Sequence, residues 1–89
     1  MKPISRHRTF KKNFLLRINS NKKLRRQFEK RLNLFVSGER GNPINDHALT
    51  GSRKGQRSFL ISADIRVIYT ETKDTILFLD IGTHNQIYN

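Results

Sequence analysis

The sequence has no cysteine, no tryptophan and only two prolines, and only seven of its 89 residues are acidic. Without cysteine the chain can hold neither a disulfide framework nor a thiolate metal site, which fits a reducing compartment. No apolar run reaches the length of a membrane span, and the N-terminus lacks the apolar segment of a signal peptide. We therefore expect a cytoplasmic protein with no membrane partner.

Basic residues are abundant, since 18 Lys and Arg against seven Asp and Glu give a net charge of +11. Residues 1–40 hold 13 of the basic and two of the acidic residues, whereas residues 41–89 hold five of each. A field of this size attracts polyanions and speeds their encounter with the protein. The charge favours a nucleic acid or an acidic protein as partner, with a merely solvated basic surface as the alternative.

Apolar residues at helical spacing predict two helices in the first half of the chain. The first begins at Thr9, as N-cap, and ends near Ile18, with its apolar residues on one face. Residues 19–21 supply turn and cap residues before a second helix. Its apolar face consists of Leu24, Phe28, Leu32, Phe35 and Val36. Gly38 ends it as a C′ glycine. Together they form a helical hairpin with one apolar side.

The second half predicts strands at residues 56–62 and 64–70, joined tightly enough to form a hairpin. A third strand starts at Ile76 and is apolar on both faces, as in the interior of a sheet, and it should stop at a turn at Gly82. Residues 2–6 are a candidate edge strand, whereas residues 46–51 lack periodicity. Apolar residues occur on both faces of the hairpin, so the pattern leaves open which face the helices cover. The predicted fold is a single α+β domain over residues 1–89, with the helical hairpin on a small twisted antiparallel sheet of three to four strands.

The three histidines, His7, His47 and His84, have no partners at metal-ligand spacing, so we expect no metal and no cofactor. Imidazoles, several cations and a carboxylate suit RNA cleavage, because RNA carries its own nucleophile in the 2′-hydroxyl. The protein must then transfer two protons and stabilise the charge of the phosphorane. Plain structural roles are the alternative: a surface histidine, Asp46 as a turn residue, and Tyr88 as part of the core.

Four segments resemble the RelE/YafQ group of bacterial type II toxins, the ribosome-dependent mRNA interferases. They are D-H-A-L-T-G at 46–51, K-G-Q-R at 54–57, D-x-R-V-I-Y at 64–69 and I-G-T-H-N-Q-I-Y at 81–88. The order of two helices followed by strands is also similar. The resemblance therefore covers nearly the whole chain.

This resemblance implies a RelE-like fold whose open concave face takes mRNA in the ribosomal A site. It also implies that His84 is the catalytic general acid, with His47 and Asp64 as further proton-transfer groups. Some YafQ-like toxins carry a histidine where this chain has Leu60 and an aromatic residue where it has Ile65. The remaining implied residues are Arg57 or Arg66 as electrostatic stabiliser, Tyr88 as a support for the substrate, and Arg53, Lys54 and Arg66 as RNA-binding cations.

The implied partners are mRNA, the ribosome with its rRNA, and a cognate antitoxin that is acidic or amphipathic where it wraps the toxin. Two other functions stay open, because a fold does not fix an activity. One is a ParE-like toxin that inhibits DNA gyrase by binding alone, and the other is a non-toxic RNA-binding domain. His47 and His84 favour the metal-independent endoribonuclease, since a toxin that only binds does not need them.

Overall fold

A computed structural model describes residues 2–88. Its elements are β1 (Ile4–Arg6), α1 (Arg8–Phe14), a π-helical turn (Leu15–Asn19), α2 (Lys22–Val36), β2 (His47–Ala48), a 3-10 turn (Gly51–Arg53), β3 (Arg57–Leu60), β4 (Ile65–Glu71), β5 (Ile76–Thr83) and α3 (His84–Tyr88). The strands form one sheet in the order β1-β5-β4-β3-β2, in which only β1 pairs in parallel. The predicted α+β fold is confirmed, with five strands instead of three to four.

The first helix starts earlier than the sequence predicts, because His7 is the N-cap in place of Thr9. The His7 ring accepts a hydrogen bond from the backbone N–H of Thr9 at 3.1 Å. The backbone N–H of His7 in turn donates to the Phe78 carbonyl at 2.8 Å, so that β5 fixes the end of β1 and the start of α1. Within residues 2–88, no helix is long and apolar enough to cross a membrane.

The second helix agrees with its predicted signals at both ends. The Asn21 side chain accepts from the Leu24 N–H at 3.1 Å, as an N-cap does. Gly38 has a φ of 98°, the left-handed conformation of a C′ glycine. The α2 boundaries are therefore set by local chemistry that can be recognised in the sequence.

Packing of aromatic rings settles which face of the sheet the helices cover. Phe35 of α2 stacks on Phe59 at 4.4 Å between ring centroids and meets Tyr69 edge-on at 5.1 Å. Phe59 and Tyr69 thus belong to the core face. Because side chains alternate along a strand, the opposite face carries Ser58, Leu60, Arg66 and Ile68, and we call it the far face.

Two predictions about the strands are wrong in detail. Residues 46–51 include the edge strand β2, whose two residues are too few to show a periodicity. β5 does lie inside the sheet, between β1 and β4, but it does not stop at a glycine turn. It continues through Gly82 to Thr83 and passes directly into α3.

Candidate active site

His84 is the first residue of α3, immediately after β5, and its side chain is exposed. Tyr88 lies one helical turn further on the same side, and the two ring centroids are 4.6 Å apart. Tyr88 is 39% exposed and is not part of the core. The sheet thus presents an imidazole and a phenol together at the end of β5.

A reciprocal capping box fixes the position of His84. The Thr83 N–H donates to Oε1 of Gln86 at 2.8 Å, and the Gln86 N–H donates to the Thr83 hydroxyl at 3.2 Å. This is the T-x-x-Q arrangement that stabilises the first turn of a helix. The sequence T-H-N-Q carries this signal, which the sequence analysis missed.

Arg53 holds the other end of α3. One of its terminal nitrogens donates to the Ile87 carbonyl at 3.0 Å, and the other donates to Oε1 of Gln56 at 2.9 Å. Its guanidinium carbon lies 5.5 Å from the centroid of the Tyr88 ring, within cation–π range. Arg53, Tyr88 and His84 are therefore brought together, and Lys54 lies exposed next to Arg53 in the chain.

Arg17, which the sequence analysis did not single out, crosses the end of β5. It donates to the Ile81 carbonyl at 2.8 Å and lies 3.6 Å from the carboxylate of Asp80. A Cβ at Gly82 would lie 2.6 Å from this guanidinium and 2.8 Å from Oε1 of Gln86. A side chain at position 82 would therefore displace Arg17 and Gln86, so glycine serves close approach here and not a turn.

His47 lies on the edge strand β2, cross-strand from Ser58, and is exposed. Its Nδ1 is 3.0 Å from the Asn45 carbonyl oxygen. Because a carbonyl only accepts, this contact favours the proton on Nδ1, and in the neutral ring it leaves Nε2 as an acceptor. Three inter-strand spacings separate β2 from β5, about 14 Å, so the two histidines belong to different ends of the site.

Asp46 is a buried ion-pair partner, whereas the sequence analysis considered it as a turn residue. Its side chain is 0% exposed, and two guanidinium nitrogens of Arg57 lie 2.8 Å from Oδ1. The Tyr69 hydroxyl donates to Oδ2, and Nε of Arg40 lies 3.8 Å from it. The hydrogen bond to Asp46 raises the pKa of Arg57. Burial is the main cause that raises the pKa of Tyr69, and the hydrogen bond to Asp46 raises it further. Arg57 therefore faces Asp46 on the core side.

Arg66 occupies the far face between Leu60 on β3 and Gly82 on β5. Its Nε and the Ser58 hydroxyl are buried and have no hydrogen-bond partner among residues 2–88. Asp64 lies exposed just before β4, with its backbone N–H directed at the Ser62 hydroxyl at 3.4 Å. Among residues 2–88, no group of three or more His, Cys, Asp and Glu side chains is placed to hold a metal ion.

Comparison with known proteins places these features in a family. The model of the YafQ family, described as a bacterial toxin of type II toxin–antitoxin systems, matches residues 2–89. Comparison with curated proteins finds no match.

Solved structures show the same fold. YafQ from E. coli is 22% identical with a TM-score of 0.80, and both chains are covered completely. The E. coli DinJ–YafQ complex matches at 24% identity and a TM-score of 0.81, again over both full chains. A metal-bound toxin from Helicobacter pylori matches at 21% identity and a TM-score of 0.79, over 98% of this chain and 99% of its own. The chain belongs to the YafQ family of bacterial toxins of type II toxin–antitoxin systems.

Proposed function

We propose that this YafQ-family protein is a ribosome-dependent mRNA endoribonuclease, which inhibits translation by cleaving mRNA through the RNA 2′-hydroxyl. The observation that carries the proposal is the exposed His84, held by the Thr83–Gln86 capping box beside the Tyr88 ring. An imidazole in a fixed position at a basic surface suits proton transfer near neutral pH. A toxin that acts by binding alone has no need of it.

His84 acts as the general acid that protonates the leaving 5′-oxygen. Tyr88, with its ring against the imidazole and 39% exposed, supports a base or the substrate backbone. The Arg53 guanidinium next to this ring adds positive charge where the RNA phosphate approaches. Lys54 extends the same basic surface.

His47 and Asp64 are the two candidates for the general base. The contact of the His47 Nδ1 with the Asn45 carbonyl favours Nε2 as an acceptor, but β2 lies about 14 Å from β5. Asp64 is exposed and directly precedes Ile65, which pairs with Thr83, so it lies at the same end of the sheet as His84. Because the attacking 2′-hydroxyl and the leaving 5′-oxygen belong to the same phosphate, Asp64 suits the role of general base better.

Arg66 suits the stabilisation of the phosphorane better than Arg57 does. Arg57 directs two of its nitrogens at Asp46 on the core face, whereas Arg66 is partly exposed and lies on the far face, between Leu60 and Gly82. Removing a group that stabilises a transition-state charge typically costs about 10²–10³ in rate. We expect Arg66→Met to cost roughly this much while the protein stays folded.

The proposed partners are mRNA, the rRNA of the ribosomal A site and a cognate antitoxin in the cytoplasm. The net charge of +11 supports binding to rRNA. The E. coli DinJ–YafQ complex supports the antitoxin partner, because its matched chain has the same fold as this chain over the full length of both. The proposed reaction needs no metal and no cofactor, because the nucleophile belongs to the RNA.

Cleavage of mRNA on programmed 70S ribosomes and of naked mRNA, with mapping of the product ends, tests this proposal. We expect cuts only on ribosomes, with 2′,3′-cyclic phosphate and 5′-hydroxyl ends. Ends with 5′-phosphate would exclude the 2′-hydroxyl as nucleophile. Absence of cleavage by the folded wild-type protein would refute the endoribonuclease and make gyrase inhibition the next activity to assay.

A further inference from the structure

Arg17 and Arg66 border the same part of the far face, although one comes from the helical half of the chain and the other from β4. Arg66 pairs with Gly82 on β5, and paired residues of adjacent strands direct their side chains to the same face. A Cβ at Gly82 would therefore point to the far face, where it would lie 2.6 Å from Nη1 of Arg17. Cβ atoms of paired residues are about 4.5–5.5 Å apart, so Nη1 of Arg17 lies within roughly 8 Å of Cβ of Arg66.

Contacts with β5 fix the position of Arg17. Its Nη1 donates to the Ile81 carbonyl at 2.8 Å, and its side chain is 23% exposed. Among residues 2–88, the other two nitrogens of this guanidinium make no hydrogen bond. Arg17 therefore keeps donors for a ligand at a position that the protein has already set.

The Asp80 carboxylate orients Arg17 without occupying it. Oδ1 of Asp80 lies 3.6 Å from Nη1 of Arg17, which is beyond hydrogen-bond distance. The same oxygen accepts from the Asn13 side chain at 2.7 Å and from the backbone N–H of Ile81 at 2.8 Å. Asp80 thus has two other donors, and the guanidinium stays open to a second anion.

Gln86 adds a neutral donor at the same place. Its Oε1 would lie 2.8 Å from a Cβ at Gly82, and this oxygen accepts the capping bond from the Thr83 N–H. Because the oxygen is used in this way, the amide NH₂ of the exposed Gln86 remains a donor. Two guanidinium groups and an amide NH₂ match a phosphate, whose oxygens only accept.

We propose that Arg17, Gln86 and Arg66 form a subsite for one phosphodiester of the mRNA backbone, an inference that rests on the proposed mRNA cleavage. His84 follows Gly82 by two residues, and Asp64 directly precedes the strand that carries Arg66. The subsite therefore lies at the end of the sheet where the proposed cleavage takes place. Arg17 binds the RNA there and takes no part in proton transfer.

Neutral linkages in a non-cleavable mRNA test this subsite. An A-site codon with 2′-deoxy sugars lacks the nucleophile, and a methylphosphonate in place of each phosphodiester of this codon in turn removes one charge. The affinity of the dye-labelled protein for 70S ribosomes programmed with these mRNAs is measured by fluorescence anisotropy. Two variants are compared with wild type: Arg17→Met removes both the charge and the donor to Ile81, whereas Arg17→Gln removes the charge and retains a donor.

We expect one neutral linkage to weaken the binding of wild type about tenfold. Both Arg17 variants should bind the unmodified codon about tenfold more weakly than wild type does, and that linkage should cost them at most about threefold more, because the two losses concern one contact. Arg8→Met is the matched control. It removes an exposed arginine at the start of α1, roughly 13 Å from Arg17 along the helix axis. It should bind within about twofold of wild type and stay as sensitive to the linkage.

Three results would overturn the proposal. One is insensitivity of wild type to every neutral linkage, and another is equal sensitivity of wild type and Arg17→Gln to each of them. The third is wild-type affinity in Arg17→Gln, which would leave Arg17 only its structural bond to Ile81. Urea unfolding shows whether the variants are folded, and Arg17→Gln decides if Arg17→Met is not.

Binding of the non-cleavable mRNA does not depend on catalysis, so the two proposals can fail separately. Loss of one phosphate contact in the Arg17 variants, without cleavage of ribonucleotide mRNA by wild type, would refute only the proposed catalysis. Cleavage by wild type with additive losses in Arg17→Gln would refute only the subsite.

Discussion

Two guanidinium nitrogens of Arg57 lie 2.8 Å from Oδ1 of Asp46, whose side chain is completely buried. Asp46 immediately precedes His47, so this pair ties the loop that carries His47 to strand β3. Tyr69 donates a further hydrogen bond to the same carboxylate from β4. Asp46 therefore holds the edge of the site to the core.

Asp46→Ala should destabilise the protein, because it leaves the Arg57 guanidinium and the Tyr69 hydroxyl without their carboxylate. Breaking a buried ion pair costs about 3–5 kcal/mol, and the exposure of Arg57 reduces this to roughly 2–4 kcal/mol. Urea unfolding of wild type and variant measures the difference. Asp74→Ala, at an exposed turn, is the matched control and should stay within about 0.5 kcal/mol of wild type. Equal stabilities of the two variants would contradict this role of Asp46.

The stability contributed by Tyr69 should disappear in alkali. Its pKa is raised in the folded state, by burial first and then by Asp46, so folding favours the neutral phenol. This contribution is complete below about pH 10 and is lost as the pH rises towards the folded-state pKa. The difference in unfolding free energy between wild type and Tyr69→Phe should therefore fall above pH 10, by up to about 1.4 kcal/mol per pH unit. Parallel pH profiles would show that Tyr69 has no raised pKa.

Gly82→Ala should lower both stability and cleavage. The new Cβ would lie 2.6 Å from the Arg17 guanidinium and 3.1 Å from Cβ of Gln86, so both the Arg17 bond to Ile81 and the capping box must shift. Overpacking of this kind costs about 1–3 kcal/mol. Gly41→Ala is the control, since its Cβ would meet only Oε1 of Glu39 at 3.7 Å. The thermal unfolding temperature and the mRNA cleavage rate are measured for wild type, Gly82→Ala and Gly41→Ala. Similar values for the two variants would show that position 82 does not need glycine.

Elements fixed by local chemistry were predictable from the sequence. The Asn21 cap and Gly38 determine α2, and two strand-like segments joined by a tight turn identified β3 and β4. Elements fixed by tertiary contacts were not. His7 displaces Thr9 as N-cap partly because its backbone is bound to Phe78, and β2 is a two-residue strand that only pairing with β3 defines.

The candidate site was predictable as a set of residues but not as a geometry. Apolar residues on both faces of β3 and β4 left open which arginine meets the core, and the structure places Arg57 there and Arg66 on the far face. With Phe59 on the core face, Arg57 lies there too and pairs with the buried Asp46, and no pattern in the sequence indicates this pair. The roles of residues 47, 64 and 84 in catalysis stay predictions.

The most direct test is the single-turnover rate of mRNA cleavage on programmed ribosomes by wild type and His84→Ala. We predict a loss of about 10²–10⁴-fold, the usual contribution of general acid catalysis, with the unfolding transition unchanged because the side chain is exposed. His7→Asn is the control, since it removes an exposed histidine but retains an N-cap residue for α1, and it should cleave as wild type does. Cleavage by His84→Ala at the wild-type rate would show that His84 is not the general acid.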